Sequence, residues 1–294
     1  MANDLSDGMI GCLVGLACGD AVGTTVEFMK RGTFAPVTDM VGGGHFRLPA
    51  GYWTDDTSMA LCLGYSLLEC GFDPVDQMTK YLDWYENGYM SSTGKCFDIG
   101  TITGEAVLDF RAGGSAFTSV TSEHASGNGS LMRVAPIAIH FYGEDLLDYY
   151  ADLSSRTTHG SPLCRDACRY FATLLSEAFV CEDKDRLLHV SFNANTEQVE
   201  SIVNGEYLTR SYDELQGSGY VIESLESALW CFYNSSSFEE AILLATNIGN
   251  DADTTATICG QIAGAFYGHA AIPDHWKSKL FMHDEIYKLA DDLL

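Results

Sequence analysis

The sequence predicts an all-α protein. Three observations carry this. Proline is scarce, with six in 294 residues. Apolar residues recur at helical spacing along most of the chain, while the strict alternation of a half-buried strand is rare. The composition, 46% hydrophobic and 19% charged, is that of a globular chain able to bury a sizeable core.

The elements follow in order. In 8–23, Ile10, Leu13, Val14 and Ala17 mark one helical face, and Gly11, Gly15, Gly19 and Gly23 recur every fourth residue. In 57–69, Met59, Cys62, Leu63, Ser66 and Leu67 hold the apolar helical spacing. Residues 75–87 and 104–111 are shorter helices. Ser161-Pro162 reads as an N-cap with proline at the first helical position, opening a helix to about Val180. Further helices are expected at 195–203, 221–233, 237–245 and 254–268, with one or two more in 275–293. Gly260, Gly264 and Gly268 repeat the four-residue spacing of the first helix. A glycine inside a helix costs about 1 kcal/mol relative to alanine. Two helices that tolerate it on one face are expected to pack on each other by close backbone approach. Residues 29–53, 112–130, 182–194 and 204–219 read as loops. With no low-complexity tract and no long repeat, residues 1–294 read as a single domain.

The formal charge of −25 argues against nucleic acid and anionic membranes as partners, since both are polyanions. The ten cysteines form no CxxC pair. Several sit in apolar helical patterns, as buried thiols of a reducing, cytoplasmic compartment do. The acidic start, MANDLSDGMI, lacks the basic region of a secretory signal. The apolar stretch 254–272 contains Gln261 and His269 and follows an acidic cluster, so it is not read as a membrane span.

Two helices begin with paired carboxylates: Asp55 and Asp56 in WTDDTS, Asp251 and Asp253 in GNDADTT. One Asp or Thr before an apolar helix is ordinary capping. Capping explains one acid per helix but not two at each. Aspartate and threonine oxygens are hard ligands, suited to Mg²⁺, Mn²⁺ or Ca²⁺; no His or Cys stands in either cluster, which speaks against zinc. Glu27, at the end of the glycine-faced helix, supplies a fifth carboxylate. Gathered without cations, the five would raise one another's pKa values; two divalent ions nearly balance them. Gly42-Gly43-Gly44-His45 lacks the lysine and spacing of a P-loop and reads as a flexible loop.

The stretches GLACGDAVGTTVEF, WTDDTS, GNGSLMRVAP, TTH and GNDADTT, in that order from about residue 8 to 270, resemble the ADP-ribosylglycohydrolases. The resemblance implies an orthogonal all-α helical bundle of that type with a binuclear Mg²⁺ or Mn²⁺ centre. It implies hydrolysis of the bond from ribose C1″ of ADP-ribose to a protein side chain or small acceptor. Thr54, Asp55, Asp56, Asp251, Asp253 and Thr254 would bind the metals. Glu27 matches an acid on a flexible loop and is the first choice for general base. Asp98 matches an aspartate beside the ribose; it is the second choice, as base or as proton donor in ribose-ring opening, and favours arginine as acceptor. Asn128, Gly129, Ser130 and His159 would line the substrate cleft. Arg133 is read as structural. The chain departs from many members at Asn250, where they have a second glycine. Two other readings stand beside this one: a metal-dependent phosphoester hydrolase using the same carboxylates, and a non-catalytic protein that binds ADP-ribose or blocks an ADP-ribosylating toxin. Retention of all five carboxylates favours catalysis. Oligomeric state is not legible in the sequence.

Overall fold

A computed structural model describes residues 5–294. The helices are α1 (Leu5–Gly23), α2 (Asp55–Cys70), α3 (Pro74–Asn87), α4 (Thr101–Arg111), α5 (Ala135–His140), α6 (Leu147–Arg156) and α7 (Pro162–Ala178). They continue with α8 (Lys184–Leu188), α9 (Glu197–Val203), α10 (Val221–Tyr233), α11 (Phe238–Thr246), α12 (Ala252–Tyr267), α13 (Asp274–Lys277) and α14 (His283–Asp292). Among the described residues the only β-structure is three isolated bridges. The protein is all-α, as expected. Helices α5, α6 and α8 lie where none was expected, and 275–293 resolves into two.

The core has α1 and α12 at its centre. Both are buried along nearly their whole length. Their glycine faces meet, as the spacing predicts. A Cβ on Gly15 would lie 2.4 Å from the Gly260 carbonyl oxygen, and one on Gly264 would lie 1.9 Å from that of Gly11. No residue larger than glycine fits those positions without parting the helices. Gly268 stands at the end of this face, its carbonyl carbon 2.7 Å from where a Cβ on Gly11 would lie. It closes α12 with φ +82°, and its amide donates to the Gly264 carbonyl. Buried hydrophobic residues from Met9 to Leu293 form one continuous cluster around the pair.

By length and composition Leu5–Val26 is apolar enough to cross a membrane, yet 94% of its most apolar window is buried inside the fold. It is the core helix of this bundle. Seven cysteines, among them Cys12, Cys18 and Cys62, are buried and unpaired. Burial pushes the Cys18 thiol up to about 12, so it behaves as a small hydrophobe.

This packing sets the site. The C-terminal end of α1 runs through a short 3₁₀ turn, Thr24–Val26, to Glu27, and the N-terminal ends of α2 and α12 start beside it. The chain after Glu27 is not a free loop. The Phe28 amide donates to the Asn250 carbonyl (2.6 Å), and the Asn250 amide returns a bond to Met29 (2.7 Å). Asn250 sits at φ +57°, a conformation that asparagine tolerates better than most side chains. It therefore serves a turn that would otherwise call for glycine. The triple-glycine segment is likewise not loose: Gly43 and Leu48 exchange both backbone hydrogen bonds, at 2.7 and 2.9 Å.

Candidate active site

Asp20 organises the first carboxylate pair, and sequence reasoning missed it. It is fully buried on α1. Its two oxygens accept from the Thr54 amide (3.0 and 3.1 Å), the Thr54 hydroxyl (2.9 Å), the Thr57 amide (3.0 Å) and the Thr57 hydroxyl (2.7 Å). These bonds hold the first turn of α2, and with it Asp55 and Asp56. The available signal was an aspartate that follows twelve small and apolar residues, 8–19.

The capping explanation fails on geometry. Thr54 and Asp251 occupy the N-cap positions of α2 and α12, and neither side chain caps its helix. Thr54 is turned to Asp20 and, at 3.4 Å, to Asp253. Asp251 accepts from the Asn128 side-chain amide at 2.6 Å. The Thr254 hydroxyl donates to Asp56 at 3.3 Å. The two helix starts, nearly 200 residues apart in sequence, thus interlock.

Glu27 joins them. One oxygen each of Glu27, Asp98 and Asp253 lies within 4.8 Å of the other two. Glu27 Oε2, Asp56 Oδ1 and Asp253 Oδ1 are buried without a hydrogen-bond partner. A buried, unsatisfied carboxylate oxygen is costly. The site's electrostatics agree. Burial, then the charges of Asp98, Asp251, Asp55 and Asp56, push the Glu27 carboxyl up to about 10. Burial, then Asp20 and Asp251, raise Asp98 to about 7. Asp55, Asp56 and Asp253 rise well above the usual carboxylate range, through burial first and then the charges of Asp98, Asp20 and Glu27 respectively. Burial lifts Asp20 to about 6 against its four donors. This group of orphaned hard oxygens fits divalent cations, which would satisfy the oxygens and offset the repulsion.

A cleft of about 360 Å³ opens over the carboxylates. Glu27, Asp55, Asp98, Asp251, Asp253 and Thr254 line its acidic floor; Thr54 and Asp56 lie beneath it. Gly100–Thr103, at the start of α4, and Gly127–Gly129 line the rest of it, with His159. The N-terminus of α4 has no side-chain cap and lies at the cleft, where the positive end of a helix is suited to an anion. Ser130 turns away. Its hydroxyl accepts from Ser155 (2.9 Å) and Cys168 (3.4 Å) in the core, so it anchors the turn and does not line the cleft.

Arg133 is structural, but inside the fold and not against a surface acid. It is fully buried, bonds the Gly129 carbonyl at 2.6 Å and lies over the Tyr81 ring. It also fixes His159. The Thr158 hydroxyl accepts from Arg133 (2.7 Å) and shares a hydrogen bond with His159 Nδ1 (2.8 Å). Burial, then the Arg133 charge, lower the His159 pKa to about 3. Burial thus favours the neutral imidazole, whose Nε2 stands beside the Gly127–Gly129 turn. Gly129 is required there, because a Cβ would sit 2.8 Å from the ring.

Backbone strain gathers at this cleft. Phe28 (φ +61°) and Asp98 (φ +60°) adopt left-handed conformations, which non-glycine residues keep only when their surroundings impose them.

Comparison with known proteins places the chain. The ADP-ribosylglycohydrolase family model matches residues 1–294. The chain is 41% identical over 286 residues to ADP-ribosylarginine hydrolase Tri1 of Serratia proteamaculans, covering 96% of this chain and 78% of that protein. It is 31% identical over 303 residues to the ADP-ribosyl-[dinitrogen reductase] glycohydrolase of Rhodospirillum rubrum, covering 98% and 96%. A solved chain described as an ADP-ribosylglycohydrolase-related protein complex superposes with a TM-score of 0.86 at 38% identity, over 98% of this chain and 97% of that one. A match along the whole chain, two similar relatives and the same fold lead to one conclusion: this protein belongs to the ADP-ribosylglycohydrolase family.

Proposed function

We propose that the chain, acting as one unit over 1–294, hydrolyses the bond between ribose C1″ of ADP-ribose and an acceptor, with arginine favoured over serine or a small conjugate. The observation that carries this reading is the set of buried carboxylates with orphaned oxygens under a cleft whose remaining lining is neutral. A diphosphate sugar needs both halves. Thr54, Asp55, Asp56, Asp251, Asp253 and Thr254 are the proposed ligands of two Mg²⁺ or Mn²⁺ ions. When bound, such ions supply Lewis acidity and charge compensation.

The chain's own groups would do the rest. The helix start at Gly100–Thr103, the Asn128 side-chain carbonyl and the His159 ring orient the ADP-ribose. Glu27 and Asp98 sit at the acidic end, close enough to hydrogen-bond each other. Glu27, its pKa drawn down beside bound cations and its carboxyl thus ionised, takes a proton from the attacking water as the water oxygen bonds C1″. The C1″–N bond breaks, and Asp98 returns a proton to the departing guanidine. Positive charge developing on the ribose faces carboxylates, which stabilise it as in other glycosyl transfers.

ADP-ribosylated arginine fits the site's charge better than a neutral acceptor, and two relatives are named ADP-ribosylarginine hydrolases. The partners are thus ADP-ribosylated proteins or ADP-ribose conjugates, met in the cytoplasm, with nucleic acid and membranes disfavoured by the charge of −25. The test is a panel of ADP-ribosyl-arginine, ADP-ribosyl-serine, O-acetyl-ADP-ribose and nucleotide phosphoesters, each with and without Mg²⁺ or Mn²⁺. Metal-dependent release of free ADP-ribose supports the reading. Release of phosphate alone would replace it with a phosphoester hydrolase, and binding without turnover with a non-catalytic role.

A further inference from the structure

Four aromatic side chains from three separate stretches of the chain meet around Phe28, which lines the cleft. Phe28 packs edge-to-face on His45 (centroids 5.2 Å) and on Phe46 (6.2 Å), and Phe46 packs on Phe97 (5.1 Å). Phe28 follows Glu27 directly, and Phe97 directly precedes Asp98. Each proposed acid–base carboxyl therefore carries a ring of this cluster as its neighbour. Phe28 lines the cleft yet is 61% exposed. Its left-handed backbone is pinned by the bond from its amide to Asn250. A strained, exposed phenylalanine at an acidic cleft serves no core.

We propose that Phe28, backed by Phe46, is the platform that receives the cationic guanidinium of the acceptor. The inference rests on the reading of the chain as an ADP-ribosyl-acceptor hydrolase and adds the acceptor subsite to it. The chemistry points to a cation. An aromatic face attracts one, and the adjoining floor carries Glu27, Asp55 and Asp98. Among the described residues, rings elsewhere are covered by the chain's own cations, such as Arg31 over Tyr212 and Arg133 over Tyr81, but none covers Phe28, Phe46 or Phe97. The neutral lining at Gly127–Gly129 and His159 takes the ADP-ribose.

The test compares Phe28→Ala, Phe28→Leu and Phe28→Tyr in metal-loaded protein, by the ratio of kcat/KM for ADP-ribosyl-arginine to that for O-acetyl-ADP-ribose. The exposure of Phe28 makes misfolding improbable, and a melting curve of each variant checks it. Alanine should lower the ratio roughly two- to thirty-fold, the range of a cation–π contact, through KM for the arginine conjugate. Tyrosine should keep the ratio, and leucine should not restore it. A ratio unmoved by alanine overturns the platform, and so does full rescue by leucine, which would make the ring an apolar cover. Failure of the unmutated protein to hydrolyse either conjugate overturns the underlying hydrolase reading as well, a result distinct from both.

Discussion

Replacing Gly260 with alanine tests how the fold holds the site. The new Cβ would lie 2.1 Å from the Gly15 carbonyl oxygen, where ordinary contact begins near 3.4 Å. Backbone faces backbone, so no side chain can swing aside. Roughly 1 Å of separation must open between α1 and α12, at an overpacking cost of about 1–3 kcal/mol. Alanine returns about 1 kcal/mol in helix propensity. The net loss is up to about 2 kcal/mol, or a melting temperature lower by up to roughly 3 °C for a chain of this size. The functional loss should exceed the stability loss. Helix α1 carries Asp20 and leads to Glu27, and α12 carries Asp253, so the two sides of the carboxylate cluster part by the same distance. Metal–oxygen distances tolerate only about 0.2 Å, so Mn²⁺ affinity should fall at least about tenfold. Melting curves and Mn²⁺ titration measure both effects. Gly104→Ala is the control: its Cβ would meet nothing nearer than Ile99 at 3.8 Å, so it should stabilise by up to about 1 kcal/mol. A Gly260→Ala protein that melts and binds metal like the parent would refute the seam as the device that sets the site.

Two further outcomes follow from the carboxylates. Asp20→Asn places an amide nitrogen where Thr54 and Thr57 present donors; metal affinity should drop about 10- to 100-fold, with turnover recovering at saturating Mn²⁺, as a titration of activity against metal would reveal. In metal-free protein, Asp20 titrates at about 6 and Asp98 at about 7, above the unfolded value near 3.9. The folded chain keeps protons the unfolded chain releases, so this stability is complete below about pH 4 and is lost as pH rises through 6 and 7. Metal-free protein should therefore melt higher at pH 5.5 than at pH 8, and saturating Mn²⁺ should shrink or reverse the difference, because binding displaces those protons.

Much of this was legible in the sequence, for identifiable reasons. Glycines four apart on two helices recorded a backbone seam, since nothing else repays glycine inside a helix. Two acids at each of two helix starts exceeded what capping requires, and neither Thr54 nor Asp251 turned out to cap. Asp20 was hidden because one buried aspartate leaves no periodic trace; its partners, Thr54 and Thr57, lie more than 30 residues away. Helix α5 escaped because a short apolar run such as APIAIH has no polar face to reveal its period. Ser130 shared a motif with cleft residues, yet only coordinates show that its side chain faces inward. The aromatic cluster joins positions 28, 45, 46 and 97, a grouping that no local pattern encodes.

The most direct test of the central claim pairs Mn²⁺ binding with release of ADP-ribose from ADP-ribosyl-arginine, in the unmutated chain and in Asp55→Ala and Asp253→Ala. The account predicts two ions per chain, turnover that rises with their occupancy and ceases on chelation, and loss of both binding and turnover in each variant. Undiminished hydrolysis in either variant, or in the chelated protein, would contradict it.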